Sequence, residues 1–298
     1  MNDYLVKAYA FAQTVRIYGA RTTDLTEQAR TIHDCWPSAA AALGRALTAS
    51  VIMGAMYKGD QELTIQIDGG GPIGKILIYT NANGQVKGTL TQPHVHLSSH
   101  DGKLDVGSTV GHEGYIHVTK DLKIRNTFTS SAELQTGEIG DDFTHYFAMS
   151  EQIPSAVGLG VKVSTDGKIV ASGGFILQVM PGAKPDTIPL IEERIRKMKP
   201  VSTLIEEGKT PEEIIEAITQ GDHVWAERLD LSYHCDCSKE RFAKGLVTLG
   251  HDELESMIIE NKPIETTCQF CGKVYHFSPE ELEDLHQTMT QKTLGHDA

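Results

Sequence analysis

Cys235-Asp236-Cys237 and, thirty residues further on, Cys268-Gln269-Phe270-Cys271 contain four of the chain's five cysteines, and their reading decides the fold of the last quarter of the molecule. A soft divalent ion such as Zn²⁺ takes four thiolates tetrahedrally, and two close pairs brought together by a short intervening fold supply that set. Gly272 follows Cys271, where a residue without Cβ lets the backbone turn beneath a metal. The first pair has one intervening residue instead of the usual two. If extended, Cys235 and Cys237 point the same way, which suits chelation and also a tight disulfide. Spacing alone leaves two readings open, a structural staple for a small C-terminal fold and a redox-responsive site.

The start of the chain, Met1-Asn2-Asp3-Tyr4-Leu5, has neither a basic leader nor an apolar core of the kind that directs secretion, so a cytoplasmic protein is expected. Thiols stay reduced there, and clustered cysteines read as metal ligands or redox sensors, not as a disulfide framework. Cys35, in His33-Asp34-Cys35-Trp36-Pro37, stands apart and is expected to be a small, semi-buried hydrophobe. A length of 298 residues favours two or three domains. No stretch approaches the roughly 20 consecutive apolar residues of a membrane span. The net charge of -13 repels phosphate backbones, which disfavours a zinc module for nucleic acid. Lys239, Arg241 and Lys244 are too few to reverse that field.

Three textures divide the chain, and together they give an α+β fold. Residues 1–180 read as a β-rich N-terminal domain with packed helices. Thr64-Ile65-Gln66-Ile67 alternates like a half-buried strand, Ile73 to Tyr79 continues after a glycine-rich turn, and Asn83-Gly84 marks a hairpin to Val86–Leu90. Tyr115–Val118, Gly158–Val163 and Phe175–Val179 are further strands, while Thr26–His33 and the Ala-rich Ala39–Met56 read as helices. Residues 181–231 change to short amphipathic helical pieces: Ile188–Met198 sets Leu190, Ile191 and Ile195 near one face. Thr210-Pro211-Glu212-Glu213 is a capping box that opens Ile214–Ile218. Such short helices persist only by packing on neighbours, so this helical linker is expected to be metastable. Residues 232–298 form the small zinc-binding α/β domain, with helices from Ser238 and Asp252, strand-like segments at Ile264–Thr267 and Lys273–Phe277, and a capping box at Ser278-Pro279-Glu280-Glu281.

Other chemistry is thinly represented. Gly69-Gly70-Gly71 lacks the Lys and Ser/Thr of a phosphate loop. His94 and His96 would share a face on a strand, with His100 nearby, but read better as surface or interface histidines; His234 and His276 are assigned at most a place around the thiolates. With no nucleophile elbow, metalloprotease helix or dinucleotide fingerprint, nothing demands an enzyme. An enzymatic alternative is a thiol-disulfide oxidoreductase using Cys268 and Cys271, yet a thioredoxin-like pair opens a helix and this one sits between strand-like segments.

Zinc-bound thiolates remain oxidisable, and each oxidation removes a ligand. The module should then unfold and withdraw support from the linker, baring apolar residues such as Leu190, Ile191, Ile195, Ile214, Ile215 and Ile218. Bared apolar surface binds other unfolding chains.

At these residues the sequence resembles the heat shock protein 33 family of redox-regulated holdases, over essentially its whole length. The resemblance is carried by the two cysteine pairs, by Gly137-Glu138-Ile139-Gly140-Asp141-Asp142-Phe143 leading to Ser150-Glu151-Gln152-Ile153-Pro154-Ser155, by Gly173-Gly174-Phe175 with Gln178 and Pro181-Gly182-Ala183, and by Ser238-Lys239-Glu240-Arg241-Phe242. The run Lys123–Phe128 departs from the pattern, lacking a glycine and carrying Phe where Tyr is frequent. The resemblance implies an ATP-independent chaperone, inactive when reduced with one Zn²⁺ per chain on Cys235, Cys237, Cys268 and Cys271. These four are also its switch thiols, with Cys235–Cys237 and Cys268–Cys271 as the implied disulfides. Its implied partners are unfolding client proteins and, once oxidised, a second copy of the chain.

Overall fold

Runs of alternating apolar and polar residues form the strands of the first part of the chain, and the computed structural model describes residues 2–98 and 103–294, the last seven by backbone alone. Strands β1 (Tyr4–Ala10) and β2 (Val15–Arg21) form a hairpin, α1 (Thr23–His33) and α2 (Pro37–Gly54) follow, and β3 (Glu62–Asp68), β4 (Lys75–Asn81) and β5 (Gln85–Leu90) make a meander. After the short α3 (Val106–Val110) come β6 (Tyr115–Asp121), β7 (Phe128–Glu133), α4 (Gly140–Tyr146), a π-helical turn (Phe147–Glu151), β8 (Ser155–Val163) and β9 (Ile169–Val179). Helices α5 (Thr187–Lys197), α6 (Val201–Glu206) and α7 (Pro211–Thr219) lead to β10 (His223–Asp230) and the two-residue β11 (Ser232–Tyr233). Helices α8 (Lys239–Val247) and α9 (His251–Ile259), the hairpin β12 (Ile264–Thr267) and β13 (Val274–Phe277), and α10 (Pro279–Leu294) complete the chain. It divides into two compact units, Met1–His234 and Cys235–Ala298. No helix of the described residues is long and apolar enough to cross a membrane.

The first unit is built on two sheets, ordered β10-β1-β2-β9-β8 and β11-β5-β4-β3-β6-β7. All their pairings are antiparallel except that of β11 with β5. Helix α2 packs against strands of both sheets and is buried along nearly its whole length. Its run Ala39-Ala40-Ala41-Ala42 explains the position, since a helix apolar on all sides has no face to give to water and small residues let both sheets approach. Strand β9 is buried at nearly every position, as expected only where both faces of a sheet are covered. One face carries Tyr18, Ala20 and Ile176 toward α2. On the other, Val6, Ala8, Ile17 and Phe175 pack with Ile191, Ile205 and the fully buried Ile214, Ile215 and Ile218 of α5–α7.

The triple glycine serves close packing of loops. A Cβ on Gly69 would lie 2.3 Å from the Gly111 carbonyl oxygen, and one on Gly71 would meet Val110 backbone at 2.4 Å. Backbone bonds Gly71 N to Val110 O and Glu113 N to Gly69 O hold the two loops together. Gly69→Ala is therefore expected to lower the melting temperature of the first unit by several degrees, a cost of about 1–3 kcal/mol, because both clashing partners are main chain. An unshifted calorimetric melt would contradict that contact.

Two expectations need correction. Residues 223–230 are strand, not part of a helical linker. Helix α7 stops at Gln220 and Gly221, which take φ of +53° and +87°, and the extended His-Val-Trp run that follows pairs with the free edge of β1. Ala226 is bulged out between the Lys7–Glu227 and Ala8–Trp225 pairs. Leu190 is 38% exposed while Ile191 is buried, so the apolar stripe of α5 is narrower than its sequence suggests. At the departing run, Lys123 adopts φ +56°, the left-handed region that glycine usually fills, with its N–H donating to Asp121 Oδ1 at 2.9 Å.

Among its described residues the second unit has a core of five buried side chains apart from cysteine, Leu246, Leu254, Tyr275, Phe277 and Leu282. Ser238 caps α8 through the Arg241 N–H, and Ser278 and Glu281 form the capping box of α10.

Candidate metal centre

Cys235 and Cys237 lie on the extended segment that precedes α8, and Cys268 and Cys271 on the turn between β12 and β13. The turn is a knuckle: Gly272 N–H donates to Cys268 O at 2.8 Å, Cys268 N–H donates to Lys273 O at 2.9 Å, and Gly272 adopts φ +71°. The four Sγ atoms all lie within 4.8 Å of one another. Cys235 Sγ is 3.7 Å from Cys268 Sγ, and Cys237 Sγ is 3.3 Å from Cys271 Sγ. A tetrahedral ion with metal–sulfur bonds of about 2.3 Å has sulfur–sulfur edges of about 3.8 Å. The donor set therefore fits zinc in number, softness and spacing. Among the described residues it is the one group of three or more His, Cys, Asp or Glu whose ligand atoms converge in this way.

Cys268 is buried and the other three sulfurs are half-exposed. Burial pushes the Cys235 thiol up to about 12. Burial acts in the same direction on Cys237, but donation from the Tyr275 hydroxyl and the neighbouring thiols outweighs it and brings Cys237 down to about 7. Tyr275 Oη lies 3.2 Å from Cys237 Sγ and 2.9 Å from Cys237 O. Asp236, between the first two cysteines, forms an ion pair with Arg241 of α8.

His234 and His276 stand outside the cluster, and His276 faces Glu265, 3.1 Å away on the paired strand. The segment bearing His94 and His96 is not a strand, and both side chains are exposed, as expected of surface histidines. His94 meets the Asp34 carboxylate at 2.9 Å, a pairing across sixty residues that sequence spacing cannot reveal. His100 lies outside the described residues. Cys35 is 5% exposed and burial pushes its thiol up to about 12, which makes it inert at neutral pH. Tyr275 is the functional candidate missed from sequence. The alternation of β13, with Tyr275 and Phe277 inward, was its readable signal.

A body of two sheets followed by a small unit in which four thiols converge defines a protein with a thiolate metal module. The Hsp33 protein family matches residues 3–278, and the chain belongs to that family. The 33 kDa chaperonin of Geobacillus sp. (strain WCH70) is 50% identical over 294 residues, covering 98% of this chain and all of that protein. That of Bacillus cereus (strain AH187) is 50% identical over 291 residues, covering 97% of this chain and all of its own. The crystal structure of the 33 kDa chaperonin from Thermotoga maritima superposes with a TM-score of 0.90 at 32% identity, covering 98% of this chain and 100% of that one.

Proposed function

We propose that this chain is a redox-regulated, ATP-independent chaperone of the cytoplasm, a holdase that is inactive while reduced Cys235, Cys237, Cys268 and Cys271 hold one Zn²⁺. The observation that carries this reading is the convergence of the four thiols in a unit whose own core, among the described residues, is five side chains. Bound there, the ion would supply the tetrahedral cross-link that joins two segments thirty residues apart in sequence. Binding is the whole activity, and the relatives carry a chaperonin's name, not an enzyme's.

Oxidation removes the thiolates as ligands. Two thiolates joining as a disulfide give up two electrons, which a peroxide accepts as its O–O bond breaks. Disulfides Cys235–Cys237 and Cys268–Cys271 each close a very small loop, so neither replaces the long-range link. Residues 232–298 act as the switch, the helical stretch 181–222 as the metastable linker, joined to the switch through strand β10, and 1–180 as the client-binding body. The route from switch to linker is short: backbone bonds Leu231 N to Asp3 O, Ser232 N to Gly84 O and His234 N to Val86 O run up to the residue before Cys235. Fraying that begins at Cys235 enters β11 and β10 directly. Release of α5–α7 uncovers the outer face of the β10-β1-β2-β9-β8 sheet, and that apolar face binds unfolding clients and pairs with a second copy.

Zinc release and light scattering of a thermally unfolding client, measured together before and after treatment with hypochlorous acid or hot peroxide, test the proposal. Loss of about one zinc per chain together with suppressed scattering is expected. Zinc loss without suppression leaves the cysteines a staple only.

A further inference from the structure

A side chain from outside the four cysteines also reaches a sulfur. Tyr275 lies inward on β13, 7% exposed, with its ring 5.0 Å from that of Phe242 and the Lys273 ammonium 5.1 Å above it. These contacts fix the phenol, and its hydroxyl donates to both Sγ and the carbonyl oxygen of Cys237, at 3.2 and 2.9 Å. Cys235 and Cys271 receive backbone N–H groups, from Cys237 and Lys273. Those donors belong to the main chain and survive any substitution that keeps the turns. The donor on Cys237 depends on the identity of one side chain.

A thiolate attacks an oxidant with a sulfur lone pair. A hydroxyl directed at that sulfur withdraws electron density and occupies part of the approach, so it slows the attack while leaving the thiolate able to coordinate. We infer that Tyr275 is a positioning residue that sets the oxidant threshold of the Cys235–Cys237 half of the switch by donating its hydroxyl hydrogen bond to Cys237 Sγ. The inference rests on the redox reading of the site. In the step it governs, the Cys237 thiolate attacks one oxygen of hydrogen peroxide, the O–O bond breaks and hydroxide leaves, giving a sulfenic acid. The Cys235 thiolate then attacks that sulfur and displaces a second hydroxide, forming the disulfide. The two sulfurs lose two electrons and the peroxide gains them.

The test compares the zinc-loaded full chain with its Tyr275→Phe variant, which keeps the ring and its packing. Both are exposed to peroxide, quenched with an alkylating agent at timed intervals, and read site by site by mass spectrometry, with zinc release followed by a chromogenic chelator. Oxidation at Cys237 is expected to be about five- to tenfold faster in the variant, with Cys271 changed less than about twofold, and zinc release accelerated in step. An unchanged Cys237 rate overturns the inference. So does a uniform acceleration at all four thiols, which would mark Tyr275 as packing alone. If peroxide releases no zinc from the unsubstituted chain, the redox reading fails first, and the inference with it.

Discussion

Cys268→Ser is expected to abolish stoichiometric zinc binding and to unfold the second unit, while leaving the central strands β2 and β9 and helix α2 of the first unit intact. Serine nearly matches cysteine in size, so the substitution opens little space at a position that is 4% exposed. What it removes is a thiolate at the knuckle, where the Cys268 backbone bonds both Lys273 O and Gly272 N. The apolar core of the unit, among its described residues, is five side chains, each contributing about 1.5–3 kcal/mol on burial. Against the ordering entropy of some sixty residues this is insufficient. A four-thiolate zinc site contributes about 10–16 kcal/mol at neutral pH, so the cross-link decides whether the unit folds. Hydrogen exchange reads the outcome: amides of α8, α9 and the β12–β13 hairpin should lose protection in the variant, whereas those of β2, β9 and α2 keep theirs. Retained protection across α8 and α9 would mean that the ion is dispensable to the fold. Cys35→Ser serves as the comparison, because its buried thiol belongs to the first unit and takes no part in the cluster.

Much of this arrangement was readable from residues because the deciding interactions are local. Thr210-Pro211-Glu212-Glu213 states its own geometry: the Thr210 hydroxyl accepts from the Glu213 N–H and the Glu213 carboxylate accepts from the Thr210 N–H. Asn83-Gly84 likewise closes β4 onto β5 with Gly84 at φ +75°. Two closely spaced cysteine pairs announce the cluster in which their four thiols converge. The unread features depend on long-range neighbours. The edge of β1 recruits residues 223–230 into a strand that a charged, polar-looking linker conceals. Leu190 and Ile191 are adjacent and equally apolar, yet only tertiary packing determines that Ile191 turns inward. Hydrogen bonding by Tyr275 to Cys237 spans thirty-eight positions: the alternation of β13 turns Tyr275 inward, but nothing in the spacing names Cys237 as its partner. The first hairpin was unread as well. Tyr4–Ala10 and Val15–Arg21 are joined by Phe11, Ala12, Gln13 and Thr14, the first three at positive φ, without the glycine or asparagine that usually marks such a turn.

Ile215→Asp should release the linker without any oxidant. Ile215 is fully buried on α7, and its Cγ1 and Cδ1 occupy the space in which a side chain on Gly19 would sit, 3.2 and 3.3 Å from that Cβ position. The missing side chain on β2 thus makes the seat for α7. A carboxylate placed there loses the apolar contact and buries a charge without a partner, together costing about 3–5 kcal/mol or more. Helices of 11, 6 and 9 residues cannot persist without the surface they cover, so the whole α5–α7 segment should lose hydrogen-exchange protection as one. Ile215→Val, which costs about 0.5–1.5 kcal/mol, keeps the seat filled and should leave the segment closed. The reduced, zinc-loaded aspartate variant is then expected to suppress client aggregation at a level the unsubstituted chain reaches only after oxidation. Here the two halves of the proposed mechanism separate. If the linker opens and suppression appears, the sheet face lined by Val6, Ile17 and Phe175 is the client surface and the thiols act only as its trigger. If the linker opens and suppression is absent, covering that face is not what keeps the reduced protein inactive, and client binding must depend on the oxidised second unit itself.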